Sequence, residues 1–280
     1  MVDFIRHILR PKRVQSGVKA AYHSLSQHVS ITPHRMFGSP YLKIGHSQSI
    51  GKVRKRNQDT LLTITTTLLT DNGSSAFGLF IVADGMGGHR HGGLASKIAV
   101  QAVGRRVVDH LLGIQAGEKD MQTQQLSPEP LLRTAILHCH KEIENRVPLS
   151  GTTITAALVI DHHVSLAHVG DSRAYMVADD SIKQLTSDHS LVQRLVDKGQ
   201  ITSEEANIHP RRNVLYKAVG QGTNLDVDLH THTIPEGGKL LLCSDGLWGM
   251  VDDSSLARII SATRNIQETC ERLVQAANQA

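Results

Sequence analysis

The chain has 280 residues, 40% of them apolar, with a mean hydropathy of −0.19 and a formal net charge of +4. That is enough for one large domain or two small ones. No run approaches the ~18 apolar residues of a membrane span, and the start MVDFIRHILRPKR lacks the long apolar stretch and small-residue cleavage site of a secretory signal.

Charge is spread unevenly. Residues 1–56 hold 11 Lys/Arg against the single acid Asp3, whereas the rest hold 19 against 25 acids. A basic head on a mildly acidic body reads as an extension joined to a domain. Such a head could meet nucleic acid, an anionic membrane surface or an acidic protein. With Pro11, Pro33 and Pro40 and no sustained periodicity, residues 1–45 read as a solvated, weakly structured extension. No nucleic-acid-binding motif is recognisable, so nucleic acid is not expected as a partner. Cys139, Cys243 and Cys270 are far apart and sit in apolar runs, which points to reduced thiols in a cytoplasm rather than disulfides.

The folded pattern begins near residue 46. Residues 60–67 are β-rich and 78–83 form a continuous apolar run, with Asn72-Gly73 between them as a hairpin signal. Ala95, Ile98, Ala99, Ala102, Val103 and Val107 share one face of a predicted helix ending near 112. After a polar loop at 115–125, Leu131, Leu132, Ala135, Ile136, Cys139 and Ile143 repeat that spacing over 130–147. Strands are predicted at 152–160, 164–169 and 174–178, the first two joined by the short turn Asp161-His162-His163. Residues 188–225 are polar, with one helical piece at 191–198, and read as the most mobile part of the domain. Strands at 228–234 and 239–243 flank the turn Pro235-Glu236-Gly237-Gly238, and the chain closes in helices, where Asn265 and Glu268 have capping-box spacing. Strands grouped with strands and helices in pairs argue against alternating βαβ units. They predict an α/β fold of the α+β type, antiparallel sheets covered by helices.

Three apolar strands each run into an Asp beside a Gly: Ala83-Asp84-Gly85, Val169-Gly170-Asp171 and Ser244-Asp245-Gly246. One such pair is an ordinary turn signal. Three place carboxylates on rigid supports where a hard divalent cation can gather them, and Mg²⁺ and Mn²⁺ take carboxylate, carbonyl and water oxygens. Gly85-Met86-Gly87-Gly88 leaves the backbone open for a carbonyl ligand, or forms a flexible loop. Upstream, Arg54-Lys55-Arg56-Asn57-Gln58-Asp59 sets a guanidinium beside another acid, as a bidentate phosphate contact requires; a solvated basic stretch reads equally well from these residues alone.

Taken together, Arg54-x-x-Asn57-Gln58-Asp59, Asp84-Gly85-Met86-Gly87-Gly88-His89, Ser150-Gly151-Thr152-Thr153, Val169-Gly170-Asp171-Ser172-Arg173, Thr186-x-Asp188-His189-Ser190 and Ser244-Asp245-Gly246-Leu247-Trp248 stand in the order of the PPM family. The chain resembles those metal-dependent type 2C serine/threonine protein phosphatases, in their bacterial branch, over residues 46–278. The resemblance implies an α-β-β-α sandwich of two antiparallel sheets flanked by helices, in a domain spanning 46–280. It implies that Asp84 bridges two Mg²⁺ or Mn²⁺ ions with the Gly85 carbonyl on one, and that Asp245 is a ligand of the other. Asp59 would reach the centre largely through water, Arg54 would bind the phosphate, and Asp171 would belong to a third, weaker site. Residues 188–225 would be the flap that influences substrate choice. The implied reaction is hydrolysis of phosphoserine and phosphothreonine in proteins by a metal-bridged hydroxide, with Arg54, Asp59 and Asp84 as its catalytic residues and without a phosphoenzyme. A cytoplasmic role opposing a serine/threonine kinase follows as the expected setting.

The chain also departs from that pattern. Gln58 stands where many members carry an acid, and Gly249 where some carry another Asp for the third ion. Met86 cannot donate a proton where some relatives carry His, which leaves His89 as a nearby candidate acid. Members continue into a Gly-Gly-x-Asp-Asn segment and a final strand, whereas the sequence stops at Ala280. A missing final strand and weaker metal binding are therefore expected, with a phosphoprotein-binding module that does not hydrolyse as the alternative.

Overall fold

The computed structural model describes residues 42–70, 73–87, 91–112 and 127–280. Most of the expected extension, Asn72, His89 and the loop at 115–125 lie outside the described residues.

A long antiparallel hairpin opens the fold, β1 (Asp59–Thr70) against β2 (Gly73–Met86). Helices α1 (His91–Leu111) and α2 (Pro128–Arg146) follow. Strands β3 (Gly151–Thr152), β4 (Ile154–Ile160), β5 (His163–Val169), β6 (Arg173–Ala178) and β7 (Ser181–Gln184) come next. The short helices α3 (Leu191–Asp197) and α4 (Ser203–Ile208) then lead to β8 (Asp228–Thr233) and β9 (Lys239–Cys243). The chain ends in α5 (Asp245–Trp248), α6 (Asp253–Ala262) and α7 (Ile266–Gln279).

Pairing is antiparallel throughout. One sheet runs β1-β2-β4-β5-β8 with β3 appended to β2, and the other runs β7-β6-β9. Three apolar layers hold them. The stripes of α1 and α2, including Val103 and Ile136, pack on Leu79, Ile81, Ala156 and Leu158 of the first sheet. Ala157, Val159, Leu166 and Ala174 fill the space between the sheets, and Tyr175 and Val177 meet Leu256 and Leu273 on the far side. Both faces of β4 are thus covered, which is why its sequence is a continuous apolar run rather than an alternating one. On the β1–β9 side a cavity of about 1950 Å³ separates the sheets, lined by Leu61, Val82 and Leu242 and, among its polar walls, by Asp59, Asp84 and Asp245.

The expected α-β-β-α sandwich is present, with two local differences. A true capping box closes α4, where the Thr202 side chain accepts from the Glu205 N–H and Glu205 reaches back to the Thr202 N–H. At α7 Asn265 does cap the helix, accepting from the Gln267 and Glu268 N–H groups, but Glu268 pairs with Arg272 instead of reaching back. Strand β7 was not anticipated. It returns through Asp179 and Asp180, both at positive φ (49° and 58°), as a tight hairpin turn requires.

Candidate active site

The register of the first hairpin sets Asp59 directly opposite Asp84. Two like charges facing across a strand pair are destabilising, yet both are held in place by other bonds. The Ser244 hydroxyl donates to Asp59 Oδ2 at 3.0 Å. The Asp84 main chain is tied on both sides: its N–H donates to Thr153 Oγ1 at 2.9 Å, and its carbonyl accepts from the Thr153 N–H at 2.8 Å and the Thr152 hydroxyl at 2.9 Å. The backbone is fixed and the carboxylate is left to face the cleft. Desolvation, then the charges of Asp59 and Asp245, push the Asp84 carboxyl up to about 9. Desolvation likewise raises Asp59, against the hydrogen bond from Ser244.

Gly85 follows in a space that admits no side chain, since a Cβ there would fall 2.0 Å from the Gly92 carbonyl oxygen. The first turn of α1 therefore closes directly on the end of β2. Gln58 joins the two sides: its carbonyl accepts from the Gly85 N–H at 3.2 Å, and its side-chain Oε1 accepts from Arg54 Nη1 at 3.1 Å. The neutral amide that replaces an acid in the motif thus orients the arginine, whose charge also lies within reach of Asp59.

Asp245 opens α5 immediately after β9, and its charge acts on Asp59, Asp84 and Asp171 alike. Asp171, buried after β5, is pushed up to about 7 by desolvation and then by the charges of Asp245 and Asp188. The Trp248 indole N–H donates to the Asp171 carbonyl at 2.9 Å, so α5 grips the Asp171 loop. The guanidinium of Arg173 lies 3.6 Å from the Trp248 ring centroid and pairs with Asp188 at 2.8 Å. Gly249 closes α5, its N–H donating to the Asp245 carbonyl at 2.9 Å.

The sequence-derived candidates Arg54, Asp59, Asp84, Gly85, Asp171 and Asp245 thus meet in one region, where the four acids influence one another. None of the four forms a salt bridge among the described residues. Asp59, Asp84 and Asp171, each raised chiefly by desolvation and further by neighbouring acids, and none of them in a salt bridge among the described residues, suit a hard divalent ion. Among the described residues no three acids, histidines or cysteines close into an all-protein metal cage. That is compatible with Mg²⁺ or Mn²⁺ chemistry, in which one or two carboxylates suffice and water completes the shell.

Residues 52–279 match the family model described as Protein phosphatase 2C. The chain belongs to the protein phosphatase 2C family. It is 36% identical over 200 residues to the serine/threonine phosphatase stp of Listeria innocua, covering 71% of this chain and 78% of that protein. The solved serine/threonine phosphatase of S. agalactiae superposes with a TM-score of 0.66 at 31% identity, over 84% of this chain and 92% of that one. The PstP catalytic domain, solved in complex with 2 manganese ions, superposes with a TM-score of 0.63 at 29% identity over 82% and 88%. These relatives make the chain a bacterial PPM-type serine/threonine phosphatase.

Sequence reasoning passed over the residues that hold this phosphatase's acids in place. Ser244, Thr153, Trp248, Arg173, Asp188 and His189 all stood inside the quoted motifs without an assigned role. A signal was available for Arg173 and Asp188: a guanidinium and an acid, each beside a candidate ligand loop. Their pairing crosses two strands and could not be read from spacing.

Proposed function

We propose that the domain of residues 46–280 removes phosphate from phosphoserine and phosphothreonine in proteins with the help of two Mg²⁺ or Mn²⁺ ions, and that the basic residues 1–45 are a separate extension. The observation that carries this reading is the facing pair Asp59–Asp84, half-buried beside Asp245 and engaged in no salt bridge among the described residues. Asp84 and the Gly85 carbonyl would hold one ion, Asp84 and Asp245 the other, with Asp59 acting through water and Asp171 on a further, weaker site. Ions bound there supply Lewis acidity toward the phosphoryl group and acidify water.

The chain's own residues supply the rest. Arg54, steered by Gln58, offers a planar fork for two phosphate oxygens. Ser244 and Thr153 keep Asp59 and the Asp84 backbone from turning when charge develops. Cysteine is not the nucleophile in this reading: desolvation holds Cys139 well above its ordinary value and pushes Cys243 up to about 12, so neither is a thiolate at neutral pH.

Phosphoproteins, and a serine/threonine kinase that makes them, are the proposed partners. Three free thiols favour a reducing cytoplasm, and no helix among the described residues is long and apolar enough to cross a membrane. The alternative of a phosphoprotein-binding module without hydrolysis gains no support from relatives that are named phosphatases. Release of phosphate from p-nitrophenyl phosphate and from phosphothreonine peptides is expected to require Mn²⁺ and to vanish in Asp84→Ala. Equal release in Mn²⁺ and in EDTA would sink the proposal.

A further inference from the structure

We infer that His189 is a positioning residue for Asp171, and that through it the segment 188–225 sets the outlying carboxylate of the site; this rests on reading Asp171 as a metal-binding acid. Gly170, the residue before Asp171, has φ +110°, and a Cβ on it would fall 2.6 Å from the Thr153 side chain. The backbone can give no ground on that side. From the other side His189 closes on Gly170 with two bonds, one to each of its flanking peptides: its main-chain N–H donates to the Gly170 carbonyl at 2.7 Å, and its Nδ1 accepts the Gly170 N–H at 3.0 Å.

The two ring nitrogens have different tasks. Nδ1 faces a donor and must be bare, so the proton of the neutral ring sits on Nε2, which faces Asp228 Oδ2 at 3.1 Å. Asp228 at the head of β8 is in turn held by Lys217 Nζ at 3.1 Å. The imidazole is 2% exposed, between the rings of His168 (centroids 4.9 Å apart) and Tyr216 (5.6 Å), and the Tyr216 N–H donates to the His189 carbonyl at 2.9 Å. Tyr216 itself is 48% exposed. A continuous run of contacts therefore joins Lys217 of the segment, through Asp228 and the His189 ring, to Gly170, the residue before Asp171. A mere space-filler would need the shape of the ring. This ring also needs an acceptor at one atom and a donor at another.

Those requirements separate two substitutions of similar size. His189→Asn keeps an acceptor oxygen where Nδ1 stands, whereas His189→Gln moves its polar atoms out toward Asp228 and leaves the Gly170 N–H without a partner. Mn²⁺ alone is titrated calorimetrically into the full chain, with thermal melts recorded in parallel. The weakest Mn²⁺ site should lose about tenfold in affinity in His189→Gln, the lower end of what an orienting partner of a ligand contributes, and should retain most of its affinity in His189→Asn. Equal affinities in the two variants overturn the inference, whether both match the parent or both fall. Asp171→Ala separates the two levels of the argument. If it leaves the titration unchanged, the metal reading of Asp171 fails whatever His189 does. If it removes the weak site while Asn and Gln at 189 bind alike, only the positioning role fails.

Discussion

Asp188 and Asp84 are acids of the same centre that the fold treats in opposite ways. Asp188 is 4% exposed and fully matched: Arg173 Nε and Nη2 donate to its oxygens at 2.9 and 2.8 Å, and Gln184 Nε2 donates at 3.1 Å. Asp84 has its main chain tied by Thr152 and Thr153, while its carboxylate faces Asp59 and feels Asp245 and Asp171. Asp171 stands between them, raised by the charges of Asp245 and Asp188. A carboxylate with a structural task brings its counter-charge in the sequence. Asp84 is left without one, and the fold tolerates the crowding of acids because rigid strands hold them where they are.

The contrast is open to attack by substitution. Asp188→Ala leaves the guanidinium of Arg173 largely buried without its partner and should cost about 3–5 kcal/mol, read from urea denaturation. Asp84→Asn removes an acid that burial and the neighbouring carboxylates hold back from ionising, so in EDTA it should be no less stable than the parent. Equal losses in the two variants would erase the distinction between a paired acid and a waiting one.

How much of this was legible beforehand differs between the two acids. Asp84 announced itself, because a buried apolar run ending in Asp-Gly is a local signal, and three of them with an upstream Arg and Asp form an ordered set. The sheets were legible for a related reason: β4 and β5 are short apolar runs joined by a two-residue turn, and α1 and α2 show clear stripes. Asp188 belongs to the motif Thr186-x-Asp188-His189-Ser190, but nothing local in that polar stretch marks it as half of an ion pair. Its partner Arg173 lies 15 positions away on another element, and the ring of Trp248 that covers Arg173 arrives from the far end of the chain. Long-range pairing leaves no periodicity behind. Strand β7 escaped for a different reason: its four residues, Ser181–Gln184, alternate between exposed and half-buried and carry only one apolar side chain.

A smaller effect sharpens the same comparison through the metal itself. Mn²⁺ at a hundredfold excess over its dissociation constant should stabilise the parent by about 2.7 kcal/mol, since it binds the folded chain alone. Arg173→Lys, which weakens the matched pair but leaves Asp84 as it was, should be less stable yet show the same Mn²⁺ increment. Asp84→Asn should show little of it. An increment lost in Arg173→Lys and kept in Asp84→Asn would reverse the assignment of the two acids.

The smallest expected effect is one of pH, and it belongs to the matched side. His168 is fully buried, its Nε2–H donating to the Ser187 carbonyl at 3.1 Å and its Nδ1 lying 3.0 Å from the Thr155 hydroxyl. Desolvation, then the neighbouring His189, lower it to about 3. The unfolded chain therefore takes up a proton near the ordinary histidine value of about 6.5 while the folded chain does not. The stability that follows from this is complete above about 6.5 and is lost as pH falls toward 3, by up to about 1.4 kcal/mol per unit. Urea midpoints at pH 7.5, 6.0 and 5.0, taken with Mn²⁺ present so that the site acids stay paired, should fall on acidification. In His168→Gln, which can keep a donor to Ser187 but has no proton to gain, the fall should be shallower. Parallel slopes for the parent and the variant would move the titration away from His168, to His189 or to the acids.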